Sequence, residues 1–121
     1  MIRSASTYLM FTGQAADALA FYTGVFPEST SSVRPGPVYM ADWNLAGHNV
    51  MLVDSPPVHD FTFTPSTSLF IEFEDAASLD AAFGTLSEGG KVFMPLDNYG
   101  FSQRFGWIAD KFGVSWQLNL A

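Results

Sequence analysis

The sequence predicts an α+β fold made of two tandem copies of one strand–helix–three-strand unit. The repeat is clearest where Trp43–Val53 aligns with Ala109–Asn119 at one fixed offset. Upstream of these stretches, Tyr8–Phe11 aligns with Ser68–Ile71, and a segment with helical spacing follows each of them. The upstream offset is smaller, so the second copy has the longer internal loop. Because two copies are too few for a solenoid, we expect one pseudo-symmetric domain.

The first unit is expected at about residues 5–54. A strand over residues 7–11 precedes a helix over residues 15–24, whose apolar residues recur at helical spacing. Thr12 or Gln14 is the expected cap of this helix. Three further strands are expected over residues 29–33, 38–45 and 48–53, with a turn at Gly47 between the last two.

The second unit is expected at about residues 66–121, after an aperiodic linker at about 55–65 that contains two prolines. It opens with a strand over residues 67–73, and Asp75 caps a helix that reaches Leu86. Strands over 91–94 and 101–109 follow, separated by a loop over 95–100. The last strand alternates: one face is apolar, and the other carries Ser115, Gln117 and Asn119.

Composition excludes several classes of function. The 121 residues suit one domain, and an apolar content of 48% provides a core that needs no disulfide. Without cysteine, the chain has no thiolate nucleophile and no sulfur ligand for a metal. Neither a leader peptide nor an apolar run of the roughly 18 residues that a membrane span needs is found, so we expect a soluble cytoplasmic protein.

The net charge of −7 bears on possible partners. The five basic residues are scattered along the chain, so no basic patch can neutralise a row of phosphates. We therefore expect no nucleic-acid binding. Anionic membranes would be repelled for the same reason.

A family resemblance rests mainly on Gly106-Trp107 followed by the stretch Asp-Lys-Phe-Gly-Val-Ser-Trp-Gln at 110–117. Weaker matches are Leu9–Phe11 with Gly13-Gln14 and Phe21-Tyr22, and the stretch Phe61–Thr64. With the two-unit pattern, nearly the whole chain resembles the vicinal oxygen chelate superfamily, which includes glyoxalase I, bleomycin-resistance proteins and extradiol dioxygenases. The PhnB-like branch is the most similar. The resemblance implies a curved mixed sheet around a cleft, helices on the convex side, and a homodimer.

Some members of this branch carry the label of a demethylubiquinone methyltransferase. The sequence does not favour that chemistry, because no Gly-rich loop between a strand and a helix is available to hold a nucleotide-like cofactor. We expect no cofactor.

The resemblance also implies where a metal would be held. Metal-using members of the superfamily take ligands from the first and last strands of each unit, and those places here are Tyr8, Met51, Ser68 and Gln117. A divalent-metal site of this kind needs imidazole and carboxylate groups, which none of the four supplies. A shift of one residue gives Thr7, which is no better. We predict that the usual metal site is absent.

The surplus of aromatic residues fits a core together with a dimer interface, or a ligand pocket that is mostly apolar with a few polar anchors. Trp116 shares the apolar face of its strand and is assigned to the core, whereas Trp43 and Trp107 are left open. The candidate pocket residues are Tyr8, Trp43, Met51, His59, Ser68, Phe70, Trp107, Gln117 and Asn119.

Three functional hypotheses follow. The first is a metal-free binding protein, a homodimer that holds a small hydrophobic or aromatic molecule. The second is an enzyme of the lyase, isomerase or dioxygenase type, which uses Gln117, Tyr8 or a histidine (His48 or His59), or a metal at shifted positions. The third is a structural or regulatory dimer without a ligand. No nucleophile elbow is present, so nucleophilic hydrolysis is disfavoured.

Overall fold

The computed structural model describes all residues, 1–121, and divides them into two compact units, residues 1–60 and 61–121. Each unit has the order strand, helix and three strands, which confirms the predicted repeat and the α+β class. The elements are β1 (Thr7–Phe11), α1 (Ala15–Val25), β2 (Thr30–Val33), β3 (Met40–Leu45), β4 (His48–Asp54), β5 (Ser68–Glu72), α2 (Ala76–Ser87), β6 (Lys91–Asp97), β7 (Arg104–Ala109) and β8 (Ser115–Leu120). Neither helix has the length and apolar character that a membrane crossing requires.

The first unit is a four-stranded mixed sheet in the order β1-β4-β3-β2, with β1 parallel to β4 and the other pairs antiparallel. Helix α1 packs on one face of this sheet. Tyr22 of the helix stacks on Trp43 of β3, with ring centroids 5.3 Å apart and planes inclined by 20°. Both side chains are fully buried, so they form the centre of this unit's core.

The N-terminus of α1 is capped from a distant strand, not by Thr12 or Gln14 as expected. Oδ1 of Asp54 accepts hydrogen bonds from the backbone N–H groups of Gly13 (3.1 Å) and Ala15 (2.9 Å). Gln14 occupies the cap position without a side-chain bond. Asp54 ends β4, and the parallel pairing places it beside the last residue of β1. A carboxylate at this point also suits the positive end of the helix dipole.

The second unit repeats the arrangement, with strand order β5-β8-β7-β6 and β5 parallel to β8. Asp75 caps α2 as predicted, since its Oδ1 accepts from the backbone N–H of Ser78 at 2.7 Å. Trp116 is fully buried, which confirms its assignment to the core. Close packing of the helix on the sheet depends on Gly106, because a Cβ there would lie 2.5 Å from the Phe83 ring.

Strand β6 continues through Pro95 to Asp97, where the sequence predicts a loop. The strand lies at the edge of its sheet, and its register with β7 shifts twice, between Val92 and Met94 and between Met94 and Asp97. Edge strands and bulges are the positions where a sheet tolerates proline, because no ladder hydrogen bond is lost there.

Candidate functional site

Strand alternation gives each sheet one face toward its helix and one face away from it. We call the second the distal face. In the second unit it comprises Ser68, Phe70 and Glu72 of β5, Ser115, Gln117 and Asn119 of β8, and Phe105, Trp107 and Ala109 of β7. Directly paired residues project to the same side of a sheet, so these nine side chains form three cross-strand rows. The face assigned to β8 is the one that the sequence predicts.

The central row places an amide between two aromatic side chains. Gln117 pairs with Phe70 on one side and with Trp107 on the other. Neighbouring strands lie about 4.8 Å apart, so the three side chains are immediate neighbours. Phe70 is 53% exposed, and the ring centroid of Trp107 lies 4.9 Å from that of Phe93. The structure thus brings together three residues that the sequence proposes for a pocket.

A network of hydroxyl groups supports this row. The hydroxyl oxygens of Ser68 and Ser115 lie 2.6 Å apart. The indole Nε1 of Trp107 donates to Oγ of Ser115 at 2.9 Å, and Nε2 of Gln117 donates to Oγ of Ser68 at 3.2 Å. Ser115 is almost completely buried, and its hydroxyl also lies 3.5 Å from the carbonyl oxygen of Pro65. Sequence reasoning placed Ser115 on this face but did not select it, because a short hydroxyl gives no signal of its own.

The hydrogen bonds leave specific groups unused. Oε1 of Gln117 accepts no hydrogen bond from the protein, and one of its two N–H groups is also unused. When Ser115 donates to Ser68, the hydroxyl proton of Ser68 is unused as well. The central row and the adjoining Ser68 hydroxyl therefore present one acceptor and up to two donors, all uncharged, between the two aromatic side chains.

Asn119 belongs to the next row and is 7% exposed. Its Nδ2 donates to Oε1 of Glu72 at 3.1 Å, while its Oδ1 is buried without a partner. Its neighbour on β7, Phe105, contacts the rings of Tyr99 and Phe101 from the preceding loop. Asn119 is thus set into the sheet, whereas Gln117 is half-buried and more accessible.

The distal face of the first unit carries Tyr8 and Met51, which pair directly, and Asp42, which pairs with Met51. Arg34 makes a two-pronged ion pair with Asp42 through bonds of 2.7 and 2.9 Å, and Asn49 donates to the same carboxylate. The guanidinium holds the pKa of Asp42 below its usual value, and the carboxylate raises the pKa of Arg34. The sequence gives no signal for this pair, because Arg34 falls between the strands predicted at 29–33 and 38–45.

Two candidate residues lie away from these faces. Trp43 does not line the distal face, because it shares the helix side of β3 with Ala41 and Leu45, both also buried. The same alternation is visible in the sequence, so Trp43 could have been assigned to the helix side from the sequence alone. His59 lies exposed in the segment between β4 and β5. The other histidine, His48, has its Nε2 2.8 Å from the hydroxyl oxygen of Thr7.

The strand register corrects one residue match between the two units. The sequence aligns Met51 with Gln117 and Tyr8 with Ser68. In the structure the β1 neighbour of Met51 is Tyr8, but the β5 neighbour of Gln117 is Phe70. With Met51 matched to Gln117, the counterpart of Tyr8 is therefore Phe70, two residues further along. No group of three or more His, Asp or Glu side chains is placed to hold a metal ion.

Comparison with known proteins gives matches along the whole chain. Residues 3–119 match the model of the family described as 3-demethylubiquinone-9 3-methyltransferase. The structure of the PhnB protein from Bacillus cereus is 40% identical, with a TM-score of 0.90, and the match covers 98% of this chain and 100% of that chain. Protein YjdN from Escherichia coli (strain K12) is 27% identical over 138 residues, covering 95% of this chain and 93% of YjdN.

The fold extends beyond this family. The glyoxylase/bleomycin resistance protein/dioxygenase domain from Frankia sp. EAN1pec superposes with a TM-score of 0.73 at 16% identity, over 100% of this chain and 93% of that domain. At this identity the likeness shows the fold alone, because function depends on the residues of the site.

Proposed function

This chain belongs to the 3-demethylubiquinone-9 3-methyltransferase family, the PhnB-like branch of the vicinal oxygen chelate superfamily, and from that premise we propose that it binds a small, partly aromatic molecule. The observation that carries this proposal is the position of the Gln117 amide between Phe70 and Trp107. Small-molecule sites are mostly apolar and contain a few fixed polar groups that orient the ligand. The central row has this composition.

The side chains of the central row are held in place by hydrogen bonds within the protein, and this preorganisation favours a binding site over a merely packed surface. Ser68 fixes the Gln117 amide, and Ser115 fixes the Trp107 indole, so neither side chain must be ordered when a ligand arrives. Immobilising a flexible side chain on binding costs roughly 0.5–1.5 kcal/mol, which a prearranged site avoids. The unused hydrogen-bonding groups of Gln117 point to a partner from outside the chain.

We propose binding without a resident metal. The family resemblance implies metal ligands at Tyr8, Met51, Ser68 and Gln117, and matching the strand pairing of Tyr8 with Met51 in the second unit replaces Ser68 by Phe70. None of these residues is an imidazole or a carboxylate. Methyl transfer, which the family description names, needs a methyl donor. The loops that lead from a strand into a helix contain one glycine at 12–14 and none at 73–75. Titration with S-adenosylmethionine should therefore give no binding heat.

A homodimer is part of the proposal. Each sheet ends in edge strands, and every residue of β2 is exposed. Exposed edges can pair with another chain, because their backbone N–H and C=O groups are unpaired. Light scattering at micromolar concentration should give twice the mass of the 13.2 kDa chain, and a monomer would refute this part.

Native mass spectrometry of protein purified without added metal tests the main proposal. We expect protein without metal that carries a small organic mass, which would identify the ligand. A stoichiometric metal would contradict the proposal and favour the alternative, an enzyme with a metal at shifted positions. Turnover that Gln117→Ala abolishes would likewise favour an enzyme.

Tryptophan fluorescence gives an independent test of the location. Of the three tryptophans, Trp43 and Trp116 are fully buried, and Trp107 is half-buried on the distal face. We expect the ligand to change the emission of the natural protein but not that of Trp107→Phe. If no co-purified molecule and no aromatic probe changes the emission, a dimer without a ligand becomes the better hypothesis.

A further inference from the structure

We infer that the site on the distal face of the second unit selects an uncharged, planar ligand whose ring carries a coplanar hydrogen-bond donor and acceptor, as in an aromatic carboxamide. This inference rests on the proposed function and adds the chemical class of the ligand. It follows from the hydrogen-bond inventory, the distribution of charge and the spacing of the aromatic side chains.

The hydrogen-bond inventory requires a donor and an acceptor on the same ligand. Gln117 offers Oε1 as an acceptor and one remaining N–H as a donor, both in the plane of one amide group. A ligand amide presents the complementary pair, an N–H toward Oε1 and a C=O toward the N–H. The hydroxyl of Ser68 can add a further donor when Ser115 bonds to it. A ligand without both kinds of group would leave a half-buried polar atom unpaired.

The charge distribution disfavours ions. The central row and the hydroxyl network contain no ionisable group. The charged residues on the same face all lie outside the central row. They are Glu72, which already accepts a hydrogen bond from Asn119, and Lys91 and Asp97 on the edge strand. Lys91 pairs with Ala109, so its strand is two strands from Gln117, about 10 Å away, which is near the Debye length in physiological salt. An ionic ligand in the central row would lose hydration without gaining a counter-charge in the same row.

The aromatic spacing suits a flat ring. Phe70 and Trp107 flank Gln117 on strands that lie about 10 Å apart, twice the ordinary strand spacing. A ring that stands between them reaches both at the centroid separations of about 4.5–7 Å that aromatic pairs prefer. The ring edge then meets the Gln117 amide, which fixes the orientation of the ligand.

Three probes of nearly identical shape test the ligand class: benzamide, benzoate and benzamidinium, which at pH 7 are neutral, anionic and cationic. Binding is followed by NMR through the indole N–H signal of Trp107, which is assigned with Trp107→Phe. We expect benzamide to bind at least about tenfold more tightly than either ion, because each ion leaves one of the Gln117 groups unmatched. Equal affinities, or preference for benzoate, would overturn the inference and leave the proposed function standing.

Two near-isosteric variants link the selectivity to one side chain. Gln117→Glu turns the amide into a carboxylate, so the preference should move to benzamidinium by at least about tenfold. Gln117→Met removes the hydrogen bonds and should abolish the preference for benzamide. Gln14→Glu makes the same charge change at an exposed residue of the first unit and should leave the order of affinities unchanged.

The outcomes separate this inference from the proposed function. Unchanged indole N–H signals of Trp43 and Trp116 show that each variant is folded, because both side chains lie in the cores. An order of affinities that Gln117→Glu does not alter refutes the assigned role of Gln117. Failure of all three probes to bind refutes the ligand class, and the proposed function is then decided by the molecule that co-purifies.

Discussion

The indole Nε1 of Trp107 lies 2.9 Å from the hydroxyl oxygen of Ser115 on the neighbouring strand. The two residues are diagonal neighbours, since Trp107 pairs with Gln117 and Ser115 pairs with Ala109. Long side chains can span such a diagonal. Because Ser115 also contacts Ser68, which receives the hydrogen bond from Gln117, one buried hydroxyl orients both the aromatic wall and the amide.

Ser115→Ala should lower the free energy of unfolding by about 1–2 kcal/mol, because it leaves the Trp107 N–H without its partner. Urea unfolding of Ser115→Ala, Trp107→Phe and the double variant measures the coupling of the two side chains. We expect a coupling free energy of about 1 kcal/mol. Ser66→Ala, at an exposed serine in the preceding loop, is the control. If the changes in the free energy of unfolding caused by Ser115→Ala and Trp107→Phe simply add in the double variant, the hydrogen bond contributes nothing to stability.

Asp110 is the polar centre of the turn between β7 and β8. The residue is 3% exposed, and its Oδ1 accepts from the backbone N–H groups of Phe112 (2.8 Å) and Val114 (3.1 Å). Its Oδ2 accepts from the indole Nε1 of Trp116 at 2.9 Å. These bonds give a physical reason for aspartate and tryptophan six residues apart in the stretch that carries the family resemblance.

Asp110→Asn should therefore destabilise the fold by about 1–3 kcal/mol, because one oxygen becomes an N–H group that faces another donor. Denaturant unfolding, with Asp60→Asn as an exposed control, measures the effect. The control should change stability by less than about 0.5 kcal/mol. Equal effects of the two variants would mean that the Asp110 network does not hold the turn.

The pH dependence of stability should contain a contribution from Asp75. The backbone N–H of Ser78 lowers the pKa of Asp75 below its ordinary value of 3.8, and the Ser78 hydroxyl adds to this effect. A group whose pKa is lower in the folded state stabilises the fold above its unfolded pKa and loses this effect as the pH falls through its folded pKa. The free energy of unfolding of the wild type should therefore decrease when the pH is lowered below about 4.

Asp75→Asn keeps a cap of similar quality but does not titrate in this range. The difference in melting temperature between wild type and Asp75→Asn should be largest above about pH 5 and shrink as the carboxyl is protonated. A scan from pH 7 to pH 2.5 tests this expectation. A difference that stays constant over the scan would contradict the assigned pKa shift.

Substitution by alanine is expected to change stability in opposite directions at two glycines. A Cβ on Gly90 would collide with the backbone carbonyl oxygen of Ala109 and lie 2.9 Å from the carbonyl carbon of Asp110, and backbone atoms cannot rotate away. Gly90→Ala should cost about 1–3 kcal/mol or more. Gly84, inside α2, has open space around it, so Gly84→Ala should stabilise by about 0.5–1 kcal/mol. Thermal melts of both variants check the sign; a stable Gly90→Ala would refute the packing argument.

The fold and part of the site were predictable from short-range patterns. Alternation along β8 placed Gln117 and Ser115 on one face and Trp116 on the other, because successive side chains of a strand point to opposite sides. The Asp75 cap was predictable because its partner lies only three residues away. The same rule, applied to β3, would have assigned Trp43 to the core.

Residue types and local spacing were enough to establish the two-unit repeat, the faces of the strands and the lack of sulfur chemistry. Three contacts follow from long-range packing alone: Phe70, not Ser68, is the strand partner of Gln117, Asp54 caps α1, and Arg34 binds Asp42. Strand register and the turn and loop geometry around the sheets set these contacts. A slip of two residues keeps every side chain on its face but changes each neighbour, so the alternating pattern cannot distinguish one register from the other.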